Sequence, residues 1–344
     1  MNKSQIKKAF WMVFTMLLSV LTVGALLKQS ETMSVETLVD KISNADLKWT
    51  IIAMVSAASY VIFEAVALCS ILKGLGYKQS PKNGIIYSTA DVYFSAITPS
   101  ATGGQPASAF FMLRDGIPAG VSTAALILNL MMYNLAIVFL GIIAIAMSPR
   151  SFVGFNISSK VLIILGFVGF TLLSMFFLSV LRGSNRIFAF IRRILDFLYK
   201  KNIIHKLEHK LEKLDKIESD YESCVALIGG KNKIMRKAFF WNVIQRAVQI
   251  VVPALVYISL GGNYMMTRIL FSKQCLITIG YNYVPIPGAL GIADYLMIDG
   301  YSSVMPEGLA YELDMISRGL TFYICVALSG IITLIGYLRG RNEK

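Results

Sequence analysis

The chain has 344 residues, 56% hydrophobic and only 15% charged, against about 25% charged in soluble chains. Its mean hydropathy is +0.63, and a soluble fold of this size lacks the interior to hide that much apolar surface. Disorder, a collagen-like rod and a soluble Rossmann or TIM-barrel enzyme are excluded, and the net charge of +13 reads as positive-inside bias and attraction to anionic lipid, with no direct nucleic-acid partner expected. About 20 apolar residues at 1.5 Å rise cross a ~30 Å hydrocarbon core, so the apolar runs are read as spans of an all-α polytopic membrane protein.

The first run, Ala9–Leu27, follows Lys3, Lys7 and Lys8 and holds no charge. It is longer than a usual signal-peptide core and no A-x-A site follows, so it is read as an uncleaved span. Trp49–Leu72 is the second span. Asn83–Thr98 is shorter and runs into the Pro/Gly-rich segment Pro99–Pro106. Ile117–Met147 and Val161–Leu181 are the third and fourth spans. Residues 182–237 carry 14 basic and 7 acidic side chains, net +7; Leu207, Leu211, Leu214 and Tyr221 recur there at helical spacing, which predicts a cytoplasmic amphipathic linker helix or helical pair. Ala238–Leu260 and Ile316–Leu338 complete six full transmembrane helices. Between them Ile269–Val284 runs into Pro285–Gly291, a second broken segment.

Sixteen helical residues cover about 24 Å, short of a crossing. Irregular backbone at membrane depth persists only where it is buried in protein or lines a wet cavity. The two broken segments are therefore read as re-entrant hairpins, with eight spans as the alternative. Charge bias puts residues 73–82, 114–116, 182–237 and both termini in the cytoplasm, and 28–48, 148–159 and 299–311 outside. Trp11, Trp49 and Trp241 fall near the expected interfaces. With this parity, 49–147 and 238–338 are both span, hairpin, span, but enter from opposite sides. Paired broken segments in opposite-facing halves point to an inverted repeat with a site at mid-membrane, all within one membrane domain, 1–344.

No metal or cofactor is expected. Cys69, Cys224, Cys275 and Cys325 lie far apart, without metal or redox spacing. His205 and His209 are helical neighbours but lack a third ligand, and a solvated helix face accounts for them. Gly229-Gly230-Lys231 lacks the spacing of a P-loop. The chemistry is expected elsewhere: Glu64, Asp91, Arg246, Asp294 and Arg318 are charges within or near apolar layers, where each costs about 2.5–3.5 kcal/mol. Guanidinium forks hold phosphate bidentately, so Arg246 and Arg318 facing one cavity suit a phospholipid head. Gly103 and Gly104 free backbone N–H groups near a helix start at Pro106, with Ser100, Thr102 and Gln105 adding polar groups. Pro285, Pro287 and Gly288 form the second tip, with Asp294 one turn on. The plainer reading is that the charges pair with one another and the Pro/Gly tips only break helices.

Thr98-Pro-Ser-Ala-Thr-Gly-Gly-Gln-Pro106, followed by Ala109-Phe-Phe-Met-Leu-Arg-Asp-Gly116, resembles the signature of the lysylphosphatidylglycerol synthase transmembrane family. This is the flippase-like membrane domain of the multiple peptide resistance factor proteins, which are linked to antibiotic resistance. Pro285–Asp294 resembles the family's second Pro-Gly element, with Ala289 and Asp294 where Gly and Glu are more usual. Arg318-Gly-Leu-Thr-Phe-Tyr323 resembles its last span. The likeness covers nearly the whole chain. It implies a flippase of an anionic or aminoacylated phospholipid such as lysylphosphatidylglycerol in the cell membrane. Full-length members also act as phosphatidylglycerol lysyltransferases, taking lysine from lysyl-tRNA through a soluble acyltransferase-like domain. This chain ends six residues past its last span, so that domain is expected to be absent. The 56 residues of 182–237 are too few to replace it. Two alternatives stay open: a phosphatidylglycerol lysyltransferase, alone or with a separate soluble acyltransferase as catalytic subunit, and a non-transporting membrane partner of an envelope enzyme such as a glycosyltransferase; a homodimer is open in either case.

Overall fold

The computed structural model describes residues 43, 45–98, 101–182, 184–200, 207–230, 232–284, 286–289 and 291–342. The expected first span, Ala9–Leu27, lies outside the described residues. Among the described residues there is no strand, and the protein is an all-α polytopic membrane protein.

Helix α1 (Leu47–Gly74) starts at Asp46, whose carboxylate accepts the N–H groups of Lys48 and Trp49. An anionic cap offsets orphan donors and the positive helix end together. Helix α2 (Pro81–Ile97) starts on a Ser80 cap with Pro81 at its first position, where a missing N–H costs nothing. Helix α3 (Gly104–Arg114) returns against it. Helices α4 (Ala119–Met147) and α5 (Ile157–Arg182) follow, then α6 (Ser184–Lys200) and α7 (Leu207–Gly230). Helix α8 (Asn232–Ile250) continues through Val251 into α9 (Val252–Ser259). Helices α10 (Thr267–Asn282) and α11 (Ile292–Ser302) form the second hairpin. Helix α12 (Glu307–Arg318) runs through a π-helical turn, Gly319–Ile324, into α13 (Cys325–Asn342).

Five segments are long and apolar enough to cross a membrane: Leu47–Gly74, Ala119–Met147, Ile157–Leu181, Asn232–Ser259 and Glu307–Arg339. The last begins nine residues before the expected Ile316. Glu307, Glu312 and Asp314 break the apolar run there, so α12 reads as part of an outside loop, 299–311, although it is helical. The arms α2, α3, α10 and α11 have 17, 11, 16 and 11 residues. None reaches the roughly 20 residues a crossing needs.

The arms are held by reciprocal packing. Arm α2 lies on α1 and on α13. Arm α10 lies on α9 and on α4. Helices α1 and α8 pack together at the centre. Two large apolar clusters result, beside two small ones around Leu140 and Ile137. One large cluster, near the α6–α7 end, includes Leu68, Ile71, Tyr87, Met112, Leu128 and Tyr221. The other, at the opposite end of α1, includes Ala53, Ala57, Tyr257, Leu276, Tyr301 and Leu313. Large apolar side chains stay exposed along α5 (Val161, Ile164, Leu165, Val168, Leu172) and α13. In water that surface would be a liability; in hydrocarbon it is the solvated face.

The linker forms a helical pair, α6 on α7, with α7 docked on α4. A Cβ at Gly120 would lie 2.5 Å from the Ile217 carbonyl oxygen, so only glycine permits this approach. Arg192 reaches from α6 to Asp215 (2.7 Å) and Glu218 on α7. The Tyr221 hydroxyl donates to the Val180 carbonyl (3.3 Å). Burial pushes its phenol up to about 12, so it stays a neutral donor at any physiological pH. His205 and the side chain of His209 lie outside the described residues.

A polar waist between the two hairpins

Arg246 stands at the middle of its span, with 14 residues before it and 13 after it in Asn232–Ser259. It is 3% exposed. Its Nη1 donates to Gln249 Oε1 (2.6 Å) and its Nη2 to the Tyr60 hydroxyl (3.2 Å). The rings of Tyr133 and Tyr60 cover the guanidinium at 3.9 and 4.9 Å, a cation–π arrangement that strengthens when desolvated. Its Nε–H is buried without an acceptor. Among the described residues no carboxylate lies within ion-pair distance of it.

Helical spacing builds this stripe. Asn242 and Arg246 are one turn apart on α8, and Asn129 and Tyr133 one turn apart on α4. Asn242 Nδ2 donates to Asn129 Oδ1 (3.0 Å), both residues buried. Tyr60 and Glu64 are likewise one turn apart on α1. Glu64 is 6% exposed, and its Oε2 accepts from Gln245 Nε2 (3.3 Å). Asp91 lies on α2, which packs against α1. Asp91 in turn holds the first hairpin. Its Oδ1 accepts from Ser95 (3.1 Å), and its Oδ2 accepts from Gln105 Nε2 (2.9 Å) at the start of α3. Three polar contacts result among sequence-expected residues and their neighbours: Gln105 with Asp91, Gln245 with Glu64, and Arg246 with Gln249 and Tyr60. They lie between the two large apolar clusters.

Arg318 belongs to a second cluster. It is 5% exposed, and its Nε lies 2.9 Å from Asp294 Oδ1, an ion pair whose N–H is not aligned as a hydrogen bond. Its Nη2 donates to the Gly288 carbonyl (3.4 Å), and Phe322 lies under the guanidinium at 5.0 Å. Asp294 Oδ2 accepts the Gly291 N–H (2.9 Å), the reach-back of an acid at the third helical position. Arg318 therefore clamps the second tip onto the last span. That tip, Pro287–Ala289, packs on α2, so the two clusters are neighbours with different partners.

The tips themselves are tightly built. A Cβ at Gly104 would lie 1.9 Å from Asp91 Oδ1, and one at Gly103 2.7 Å from Thr98 Cγ2. Both glycines let the hairpin arms close on each other. Ala101 (φ 54) and Ala289 (φ 51) sit in the left-handed region, one at each tip. That conformation costs a non-glycine residue of order 1–2 kcal/mol and is found where surrounding structure over-determines it. Thr102 lies exposed in the first turn. Ser100, Pro285 and the side chain of Pro287 lie outside the described residues.

Sequence reasoning missed Tyr60, Tyr133, Lys273 and Asp314. The tyrosines were legible as one-turn neighbours of polar positions facing Arg246. Lys273 was visible as a charge inside the second broken segment. It is 1% exposed, donates to the Ser151 carbonyl (3.2 Å) and sits 4.5 Å over Phe155. Asp314 is buried one turn before Arg318, with Oδ1 lacking a hydrogen bond. A cleft of about 820 Å³, lined by Asp46, Trp49, Tyr264 and Glu312 among others, opens at the far end of α1, away from both clusters.

Comparison with known proteins fits this arrangement. A membrane protein of the UPF0104 group from Archaeoglobus fulgidus is similar, 23% identical over 336 residues, covering 90% of this chain and 96% of that protein. No solved structure matches the chain. The profile of the lysylphosphatidylglycerol synthase TM region matches residues 12–329, spanning both hairpins and both charged clusters, and the chain belongs to that family.

Proposed function

We propose that this protein binds the phosphate of an anionic or aminoacylated phospholipid at Arg246 and passes the headgroup across the membrane beside the two hairpin tips. The observation that carries the reading is Arg246: a mid-span guanidinium, walled by two tyrosines, with a buried unpartnered Nε–H and no carboxylate in contact among the described residues. A buried charge and an unmade hydrogen bond each cost free energy. A phosphate oxygen supplies counter-charge and acceptor together. Acyl tails would remain in the bilayer along the apolar faces of α5 and α13. Lysylphosphatidylglycerol is the lipid the family's name suggests.

The same reading takes 49–147 and 238–338 as inverted repeats, supported by the exchanged packing of α2 on α13 and α10 on α4. It puts the α6–α7 end in the cytoplasm of a cell-membrane protein, supported by the net +7 of residues 182–237. Arg318 and Asp294 position the second tip, and Gly103, Gly104 and Gln105 the first.

The test is reconstitution in phosphatidylglycerol vesicles with a fluorescent phosphatidylglycerol probe. Wild-type protein should move the probe between leaflets. Arg246→Ala should abolish movement at matched folded protein, and Arg246→Lys should recover only part of it, because an ammonium keeps the charge without the fork. Wild-type movement in Arg246→Ala would remove the headgroup site from Arg246.

A further inference from the structure

Helix α6 is apolar on two sides, and its packing on α7 uses one of them. Phe188, Ile191 and Leu195, spaced i, i+3, i+7, belong to the first apolar cluster, with the Phe188 and Tyr221 rings 5.7 Å apart. Phe190, Ile194 and Phe197, spaced i, i+4, i+7, form a second stripe. They are 62%, 41% and 58% exposed. Three large apolar side chains in one exposed row are a liability in water and mark a surface that meets something apolar.

Packing sets the level at which this stripe sits. Helix α5 crosses as Ile157–Leu181, and α6 begins three residues later, at Ser184. The Tyr221 hydroxyl of α7 meets the Val180 carbonyl at 3.3 Å, and the Ile217 carbonyl meets Gly120 in the first turn of α4. The pair α6–α7 is therefore tied to the ends of two crossing helices, where hydrocarbon gives way to headgroups. The stripe also follows on from the exposed apolar surface of α5, to which Leu172, Met175 and Phe176 contribute in its last turns.

Charge identifies the kind of lipid. Helix α6 has 17 residues, four of them basic and one acidic, too short and too charged to cross. Arg192 is held by Asp215 and Glu218 of α7. Arg193 and Lys200 are exposed. They stand three residues after Phe190 and Phe197, so they form a basic row along one edge of the stripe. Asp196 lies beyond that row, on the side away from the stripe. An apolar row edged by cations is the pattern of a helix lying in a membrane surface: rings enter the upper acyl chains while long basic side chains reach the phosphates. Cations at that depth favour anionic over zwitterionic lipid.

We propose that α6 is an anionic-lipid-binding helix that lies in the leaflet at which α5 emerges. Phe190, Ile194 and Phe197 sit among the upper acyl chains, and Arg193 and Lys200 hold lipid phosphates. The occupant of the stripe is the surface of the protein's own membrane. Anionic lipid gathered there stands beside the ends of α4 and α5. The inference goes beyond the headgroup site at Arg246 and does not rest on it, nor on which leaflet is cytoplasmic.

The test uses the full chain, lacking its four native cysteines, in phosphatidylglycerol vesicles. A nitroxide label is placed on one introduced cysteine at a time. Collisions with oxygen report hydrocarbon, and collisions with a water-soluble nickel chelate report water. Labels at Phe190→Cys and Ile194→Cys should show an oxygen-to-nickel ratio severalfold above that of a label at Asp196→Cys. All three positions are exposed, so the labels displace no core packing. Phosphatidylcholine vesicles should lower the ratio at position 190, and so should Arg193→Glu with Lys200→Glu in phosphatidylglycerol. Ratios at 190 and 194 as low as at 196 would overturn the membrane placement. Labels shielded from both reagents would also overturn it, by showing that a second copy or another segment of this chain covers the stripe. Equal ratios in the two lipids and in the two charge states would overturn the preference for anionic lipid. The unmodified chain gives a check that depends on no variant: phosphatidylglycerol with a photoactivated carbene source in its acyl chain should form adducts on Phe190–Phe197. Adducts on α5 without any on that segment would overturn the proposal.

Discussion

Arg246 and Arg318 are one residue type in similar settings, and the fold gives them opposite partners. Arg318 spends its charge on Asp294 and its donors on the Gly288 carbonyl. Among the described residues Arg246 hydrogen-bonds only neutral groups and keeps an N–H unmatched. The first arrangement is a structural clamp, and the second leaves a guanidinium without a carboxylate partner among the described residues. Breaking a buried ion pair by removing one member costs about 3–5 kcal/mol. Arg318→Ala is therefore expected to lower the melting temperature of detergent-solubilised protein markedly, with Asp294→Asn giving a smaller loss of the same sign. Thermal unfolding of the two variants checks this, and an unchanged melting temperature in Arg318→Ala would refute the clamp. Both arginines were legible in the sequence as misplaced charges. Which one is already neutralised was not, because Asp294 comes from 24 residues away and only the folded tip brings it to Arg318.

Hairpins are the elements that decide the site. Their existence was legible from arm lengths too short to cross and from the Pro/Gly clusters at Pro99–Pro106 and Pro285–Gly291. Their glycines were open to two readings, as a bare backbone for a headgroup or as plain helix breakers. The structure places Asp91 Oδ1 where a Gly104 Cβ would be, so close approach of the two arms is reason enough for glycine there. Gly104→Ala is expected to push α2 and α3 apart and to break the Gln105–Asp91 hydrogen bond, at an overpacking cost of about 1–3 kcal/mol. A lowered melting temperature would be measured alongside lipid movement. Wild-type stability with lost movement would instead return Gly104 to the headgroup path. The early start of the last span at Glu307 was hidden by its acids. Helix α12 is amphipathic, burying Leu313 and Asp314 while Tyr311 is exposed, and a window average cannot see a face.

Across the whole molecule the two large apolar clusters flank the polar side chains around Arg246, and α2 packs on α13 as α10 packs on α4. That design predicts a single sidedness for the α6–α7 end. Lys210 is exposed on α7, so a Lys210→Cys variant should react with membrane-permeant thiol reagents and resist impermeant ones in intact cells, against a background lacking the four native cysteines. Labelling of that position from outside would invert the orientation and remove the charge-bias argument with it. The spans were readable because hydrocarbon imposes length and composition on every crossing helix. The linker pair was readable as amphipathic, whereas its docking on α4 depends on Gly120 meeting Ile217, a contact no local pattern encodes.

The sequence by itself determined that this chain spans a membrane, where its crossing segments lie, that two segments break before crossing, and which charges are out of place. Each of these follows from a local quantity: run length, hydropathy, or a Pro/Gly cluster within a few residues. Only the tertiary structure decided which charges meet. Gln105 with Asp91, Gln245 with Glu64, and Tyr60 and Tyr133 with Arg246 are pairings across separate helices. Their partners are set by the rotation and depth of those helices in the bundle, and side-chain packing over the whole chain fixes both.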